Sequence, residues 1–215
     1  VVVDTVMIGN TGTGDGHGGG GGGGMSVNGV HQLRNLLVVG NGGATAGRGG
    51  GLDLSGAVTV QTVTVYGNSP CGLYNATAAA SVRDSILFGN IGLDIGGTLP
   101  STLLNNCIGD GTSAGVNGNF SADPKFERPL FYIKSDSPCI NTGSQSAVAA
   151  GLAGYTTQTN GVLDAGMVDL GYHAFQGLGV DLELYVNPDP AQGNDANDGS
   201  GWGSPLRTIT RALAR

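Results

Sequence analysis

Charge is scarce in this chain. Asp, Glu, Lys and Arg make up 12% of its 215 residues, and the glutamates are Glu127 and Glu183 alone. Polysaccharide-cleaving sites need clustered carboxylates, so few positions are open to such chemistry. The nine Lys and Arg are scattered singly against a net charge of −7, which argues against nucleic acid or an anionic membrane surface as partner. No apolar run approaches the roughly 20 residues of a membrane span, so none is expected. No initiator Met or signal peptide opens the chain, which starts in mid-strand at Val1 and reads as a processed product or a segment. Helical apolar spacing is missing too, leaving no room for crossover helices. Three cysteines cannot all pair within one chain. Cys107 reads as a small core hydrophobe, while Cys71 and Cys139 each follow a proline and leave an intramolecular disulfide open. No second Cys or His stands at ligand spacing, and His17, His31 and His173 are isolated, so no metal site is expected.

Glycine is plentiful, at 42 residues, and it is arranged. An apolar run ending in Gly-Asn or Gly-Asp returns five times, closing on Asn10, Asn41, Asn68, Asn90 and Asp110. Between these marks runs a second motif, seen before Met25 and Leu52 as triple glycine and again at Cys71–Tyr74 and Ile91–Ile95. Each unit reads as two or three short strands punctuated by Gly and Asn. A repeat whose turns vary in length while its strands do not is the mark of a stacked array. The fold class expected is all-β: a right-handed parallel β-helix with glycine-rich turns. Its coils span residues 1–119, a closing or covering region spans 120–180, and a strand, loop and short helix span 181–215.

In such a stack like residues form columns. Asn10, Asn41, Asn68, Asn90 and Asp110 are expected as a side-chain ladder at one corner. Met7, Val38, Val65, Leu87 and Cys107 are expected to face the core, and Ile8, Val39, Tyr66, Phe88 and Ile108 the exterior. That exterior apolar stripe needs a cover. Either residues 120–175 fold over it, with Phe120, Phe126, Leu130, Phe131 and Tyr132 as candidates, or a neighbouring subunit does. The Gly12–Gly24 tract reads as a loop bulging from the first coil; it lacks the Lys-Ser/Thr and helix of a phosphate-binding loop.

The coils resemble the parallel β-helix repeat proteins of bacterial surfaces, including pectate-lyase-like and polymorphic-outer-membrane-type repeats. Ser135–Gly143 and Thr159–His173 are similar to the terminal region of the choice-of-anchor β-helix proteins. What the resemblance implies is a secreted, surface-associated β-helix. A second likeness lies in the last 35 residues: Leu184–Asn187, Gly193–Gly199 and Ser204–Leu213 resemble the opening strand, Asx-Gly loop and capping helix of such a domain.

A solenoid end exposes strand edges and an apolar cross-section. The expected function is therefore a structural subunit of an extracellular filament or cell-surface array, partnered by itself head to tail. Leu182, Leu184, Val186, Trp202, Ile209 and Leu213 would be donated to a receiving edge at Val1, Val2 and Val3. The alternatives are a carbohydrate-binding or carbohydrate-cleaving β-helix, with glycans as partners, and an adhesin passenger. For cleavage the candidates are Asp53 and Asp94, placed in one column, with Arg48, Arg83 and Asp84 near in sequence. No cofactor is expected, although Asp195, Asn197 and Asp198 offer oxygens in a glycine-flanked loop that could take Ca²⁺. Asn75 and Asn119 open glycosylation sequons at expected turns.

Overall fold

A computed structural model describes residues 1–12, 23–43, 48–127 and 131–175. The chain divides into two compact units, Val1–Phe175 and Gln176–Arg215, and the described residues all lie in the first. Among the described residues twelve strands form its body. They are β1 Val2–Ile8, β2 Met25–Asn28, β3 His31–Val39, β4 Leu52–Ser55, β5 Val58–Gln61, β6 Thr64–Tyr66, β7 Cys71–Asn75, β8 Ser81–Arg83, β9 Ile86–Phe88, β10 Leu93–Gly97, β11 Thr102–Leu104 and β12 Cys107–Ile108. All pair in parallel.

Eight of them make one curled sheet ordered β11-β8-β5-β3-β6-β9-β12, with β1 on β3; the other four make a second sheet ordered β10-β7-β4-β2. The curl arises within each coil. Strand β3 pairs with β5 over its first half and with β6 over its second. At the junction stands a residue in the left-handed backbone region: Asp4, Asn35, Thr62, Asp84 and Asn105, each with φ between 49° and 53°. Asn and Asp tolerate that conformation because their short side chains hydrogen-bond locally, so a single residue turns the strand without a loop.

This corner sets the register. The third residue after it gives Met7, Val38, Val65, Leu87 and Ile108, which are Cα partners from coil to coil and are buried together in the main core. The sequence expectation therefore needs correcting in the fifth coil. Ile108 faces inward, and Cys107 takes the outward position that Val6, Leu37, Thr64 and Ile86 hold in the other coils. The cause is a length difference: six residues separate corner from bend in the first four coils, from Asp4 to Asn10 through Asp84 to Asn90, but five from Asn105 to Asp110. Counting from the Gly-Asn bend is thus off by one there, and a one-residue slip exchanges the two faces.

The asparagine ladder is polarised. Asn10 Nδ2 donates to Asn41 Oδ1 (3.0 Å), Asn41 Nδ2 to Asn68 Oδ1 (2.9 Å) and Asn68 Nδ2 to Asn90 Oδ1 (2.9 Å). The backbone N–H of each donor residue adds a parallel bond to the same oxygen. The next rung is Asp94, which accepts from Asn90 Nδ2 at 2.7 Å; Asp110 stands beyond it, exchanging bonds with Asp94 through backbone N–H groups. A run of amides pointing one way ends best on a group that only accepts, and a carboxylate is that group. The glycine columns follow from this ladder. A Cβ on Gly51 would lie 2.5 Å from Gly72 O and 3.0 Å from Asn68 Cγ, and one on Gly72 would lie 2.5 Å from Asn90 Nδ2. Glycine is needed there for close approach rather than for a special φ.

Residues 120–127 and 131–175 fold back over the outward face. They contain the antiparallel pair β13 Phe126–Glu127 and β14 Tyr132–Ile133, the short helix α1 Ala147–Ala150, and the pair β15 Tyr155–Thr156 and β16 Ala174–Phe175. Ser146 caps α1 through its side chain, and Gly151 ends it with φ 75°. Phe126 and Phe131 pack on Tyr66, with ring centroids 5.6 and 5.0 Å away, and join Leu37 and Val39. Ile86 and Cys107 are covered by Ile133, Cys139 and Leu170. The corner column docks this cover. Asn35 Nδ2 donates to His173 O and its Oδ1 accepts from His173 N, Asp84 accepts from Ser144 N and Oγ, and Asn105 Nδ2 donates to Thr142 O.

Candidate functional site

The cover touches the first coil at Asp4, which accepts from Tyr155 Oη at 3.4 Å, but leaves its outward columns exposed. In the outward column next to the corner, Leu37 is 3% exposed but Val6 is 49%; in the following one, Val39 is 9% exposed and Ile8 is 56%. Val1 and Val3 are exposed as well, and Val2 is half-buried against the core. Among the described residues β1 pairs only with β3 and β2 only with β4, so each is the outermost described strand of its sheet. The opposite end is closed differently. Phe120 bridges Cys107, Asn119 Oδ1 accepts from Asn106 N and Nδ2, and the terminal core residue Ile108 is buried. Val1, Val2 and Val3, the residues expected as a receiving edge, stand at the start of this exposed strand and on it; Leu182, Leu184, Val186, Trp202, Ile209 and Leu213 lie outside the described residues. So do Asp195, Asn197 and Asp198, and most of the Gly12–Gly24 tract.

A second feature lies on the outward face of the first half-strands. Arg34, Gln61 and Arg83 are register partners on β3, β5 and β8, with Gln32 and Thr59 paired beside them. Together with Gln145 from the cover they line a cavity of about 250 Å³ that no carboxylate among the described residues enters. Arg34 Nη2 donates to Ala150 O at 2.5 Å, which fixes its guanidinium against the end of α1. Arg83 Nη2 donates to Gln61 Oε1 at 2.9 Å, and Arg83 Nε is buried with no partner among the described residues. Neighbouring strands lie about 4.8 Å apart, so two guanidinium-bearing strands flank one amide-bearing strand.

The remaining polar groups form structural pairs. Arg48 holds Asp53 through Nε at 2.8 Å and stands 5.6 Å from the Tyr74 ring centroid. Asp53 shares its column with Ser26 and Tyr74, whereas Asp94 turns into the ladder, so the two carboxylates do not form the column the sequence suggested. Asp164 Oδ2 lies 2.9 Å from His173 Nε2 in a buried pair, and Asp169 accepts from Thr157 Oγ1 and Asn141 N. Desolvation pushes the Asp84, Asp94 and Asp169 carboxyls above their ordinary range, partly offset by the hydrogen bonds each accepts. No group of three or more His, Cys, Asp or Glu among the described residues is placed to hold a metal ion.

The asparagines of both sequons are buried. Asn75 and Asn119 donate their Nδ2 to Thr98 O and Leu103 O, so neither amide is accessible to a glycan in the folded chain. They read as turns, but inward-facing asparagines are what satisfies this fold's backbone. The corner column escaped the sequence reading although a signal for it exists: Asp4, Asn35, Thr62 and Asp84 each stand six residues before a ladder asparagine.

No family model matches the chain, and neither a curated protein nor a solved structure matches it.

Proposed function

We propose that the curled parallel sheet is a right-handed β-helix and that the protein is a structural subunit of an extracellular filament or surface array, built head to tail. The observation that carries this reading is the exposure of Val6 and Ile8 in the columns that the next coil buries at Leu37 and Val39. The occupant is the 181–215 segment of a second copy. Its alternating Leu182, Leu184 and Val186 suit strand addition to β1, and a contact between unlike surfaces propagates when it does not close into a ring.

Two altered chains test it, one truncated after Gly179 and one carrying Val6→Lys with Ile8→Lys. Both substituted side chains are already exposed, so this variant folds, and edge lysines are a natural block to strand pairing. Electron microscopy and light scattering of wild type should show filaments or end-to-end oligomers, and both altered chains should be monomeric. Monomeric wild type, or assembly unaffected by either change, sinks the reading.

The Arg34–Gln61–Arg83 cleft favours a second reading, an anion-bearing glycan as ligand. Guanidinium forks suit a carboxylate, and side-chain amides suit sugar hydroxyls. Calorimetric titration with acidic and neutral oligosaccharides separates it from a purely structural role: binding of the acidic set that Arg83→Gln abolishes would support it.

A further inference from the structure

We propose that Cys107 and Cys139 form a disulfide that pins the cover to the stack, with Cys71 left as the free thiol. The sequence left pairing undecided and placed Cys107 in the core. The register shift of the fifth coil changes that, because it turns Cys107 outward, toward the cover. There it enters one buried cluster with Ile86, Ile133, Leu170 and Cys139. Both cysteines are fully buried free thiols, and Cys107 Sγ, which donates to Ala122 O at 3.2 Å, lies on the side of the stack that the cover closes.

Each backbone is held in place. Cys107 N donates to Ser85 O at 2.9 Å, Cys139 N donates to Ser137 Oγ at 3.1 Å, and Cys139 O accepts from Leu170 N at 2.9 Å. Cys71 sits apart on β7 in the second sheet, packed near Gly50 and Gly96, where burial pushes its thiol up to about 11 and keeps it unreactive.

The reaction is thiol–disulfide exchange with a disulfide oxidant. Two S–H bonds break, one S–S bond forms between Cys107 and Cys139, two protons leave, and the two electrons reduce the oxidant to a pair of thiols. Burial of both sulfurs places the step during folding, before the cover closes, and protects the product afterwards.

The full chain is refolded with oxidised and reduced glutathione, denatured with excess alkylating agent and no reductant, and weighed intact and as peptides. The expected result is one alkyl group, on Cys71, and a cross-linked peptide containing Cys107 and Cys139. In parallel, reductant should lower the thermal midpoint of wild type and of Cys71→Ser while leaving Cys107→Ser/Cys139→Ser unchanged. Three alkyl groups after oxidative refolding, a link through Cys71, or links only between chains would each overturn the proposal. The readout does not depend on assembly, so it stands or falls separately from the filament reading.

Discussion

Truncating one ladder asparagine measures what the ladder contributes. Asn68 is fully buried; its Oδ1 accepts from Asn41 N and Nδ2, and its Nδ2 donates to Val38 O, Tyr66 O and Asn90 Oδ1. In Asn68→Ala the Asn41 N–H loses its acceptor, at about 1–3 kcal/mol for a buried unpaired donor, while Asn41 Nδ2 keeps Met7 O. The other lost bonds cost about 1 kcal/mol each where a partner remains, and the void adds to this. The sum is about 3–5 kcal/mol, a large share of the roughly 5–15 kcal/mol that holds a domain together. Asn10 is the control. It is exposed, its bonds to Asn41 are replaceable by water, and Asn10→Ala keeps its own N–H on Asn41 Oδ1, so the expected loss is below about 1 kcal/mol. Urea unfolding followed by far-ultraviolet circular dichroism reads both. Asn68→Asp separates hydrogen bonding from volume, because it keeps the size but turns an acceptor toward three acceptors; it should cost at least as much as alanine. Losses for Asn68→Ala and Asn10→Ala that agree within error, or a near-neutral Asn68→Asp, would refute the idea that a directional network holds this corner.

Three further outcomes are expected. Gly51→Ala places a Cβ 2.5 Å from the Gly72 carbonyl of the next coil, which is backbone and cannot swing away, so unfolding should become easier by about 1–3 kcal/mol or more, as for other overpacked sites. Thr62→Asn should raise the thermal midpoint, because a β-branched residue at φ 51° stands where Asn35 and Asn105 occupy the same corner; relief of part of the left-handed cost is worth about 1 kcal/mol. In acid, Asp84, Asp94 and Asp169 have folded pKa values raised above the ordinary 3.8. They bind protons more readily when folded, so their contribution is present below 3.8 and lost as pH rises through the folded values. Asp110 is lowered and acts oppositely, its contribution disappearing as pH falls below 3.8. Urea midpoints should therefore be higher at about pH 4.5 than at pH 7, with Asp84→Asn flattening part of the slope; a midpoint that rises steadily toward neutrality contradicts this.

The strands and the first four rungs of the ladder were legible because they repeat. Asn10, Asn41, Asn68 and Asn90 recur after the same Gly, and translation from coil to coil turns such a repeat into contact. What does not repeat was harder to read. The fifth coil is a residue shorter, so Ile108 and Cys107 exchanged faces, and Asp94 entered the ladder from a strand of the other sheet. Asn75 and Asn119 carry glycosylation signatures that burial overrides.

The sequence by itself determined a parallel stack with an apolar interior, because a period of glycine, asparagine and alternating strands is local information that every coil restates. Only the tertiary structure decided how far the cover reaches, which cysteines share a buried cluster and which guanidinium groups share a cleft. Those contacts join segments that occur once, such as Ser144 to Asp84 and Cys139 to Cys107, and their partners are set by the summed geometry of all the coils between them.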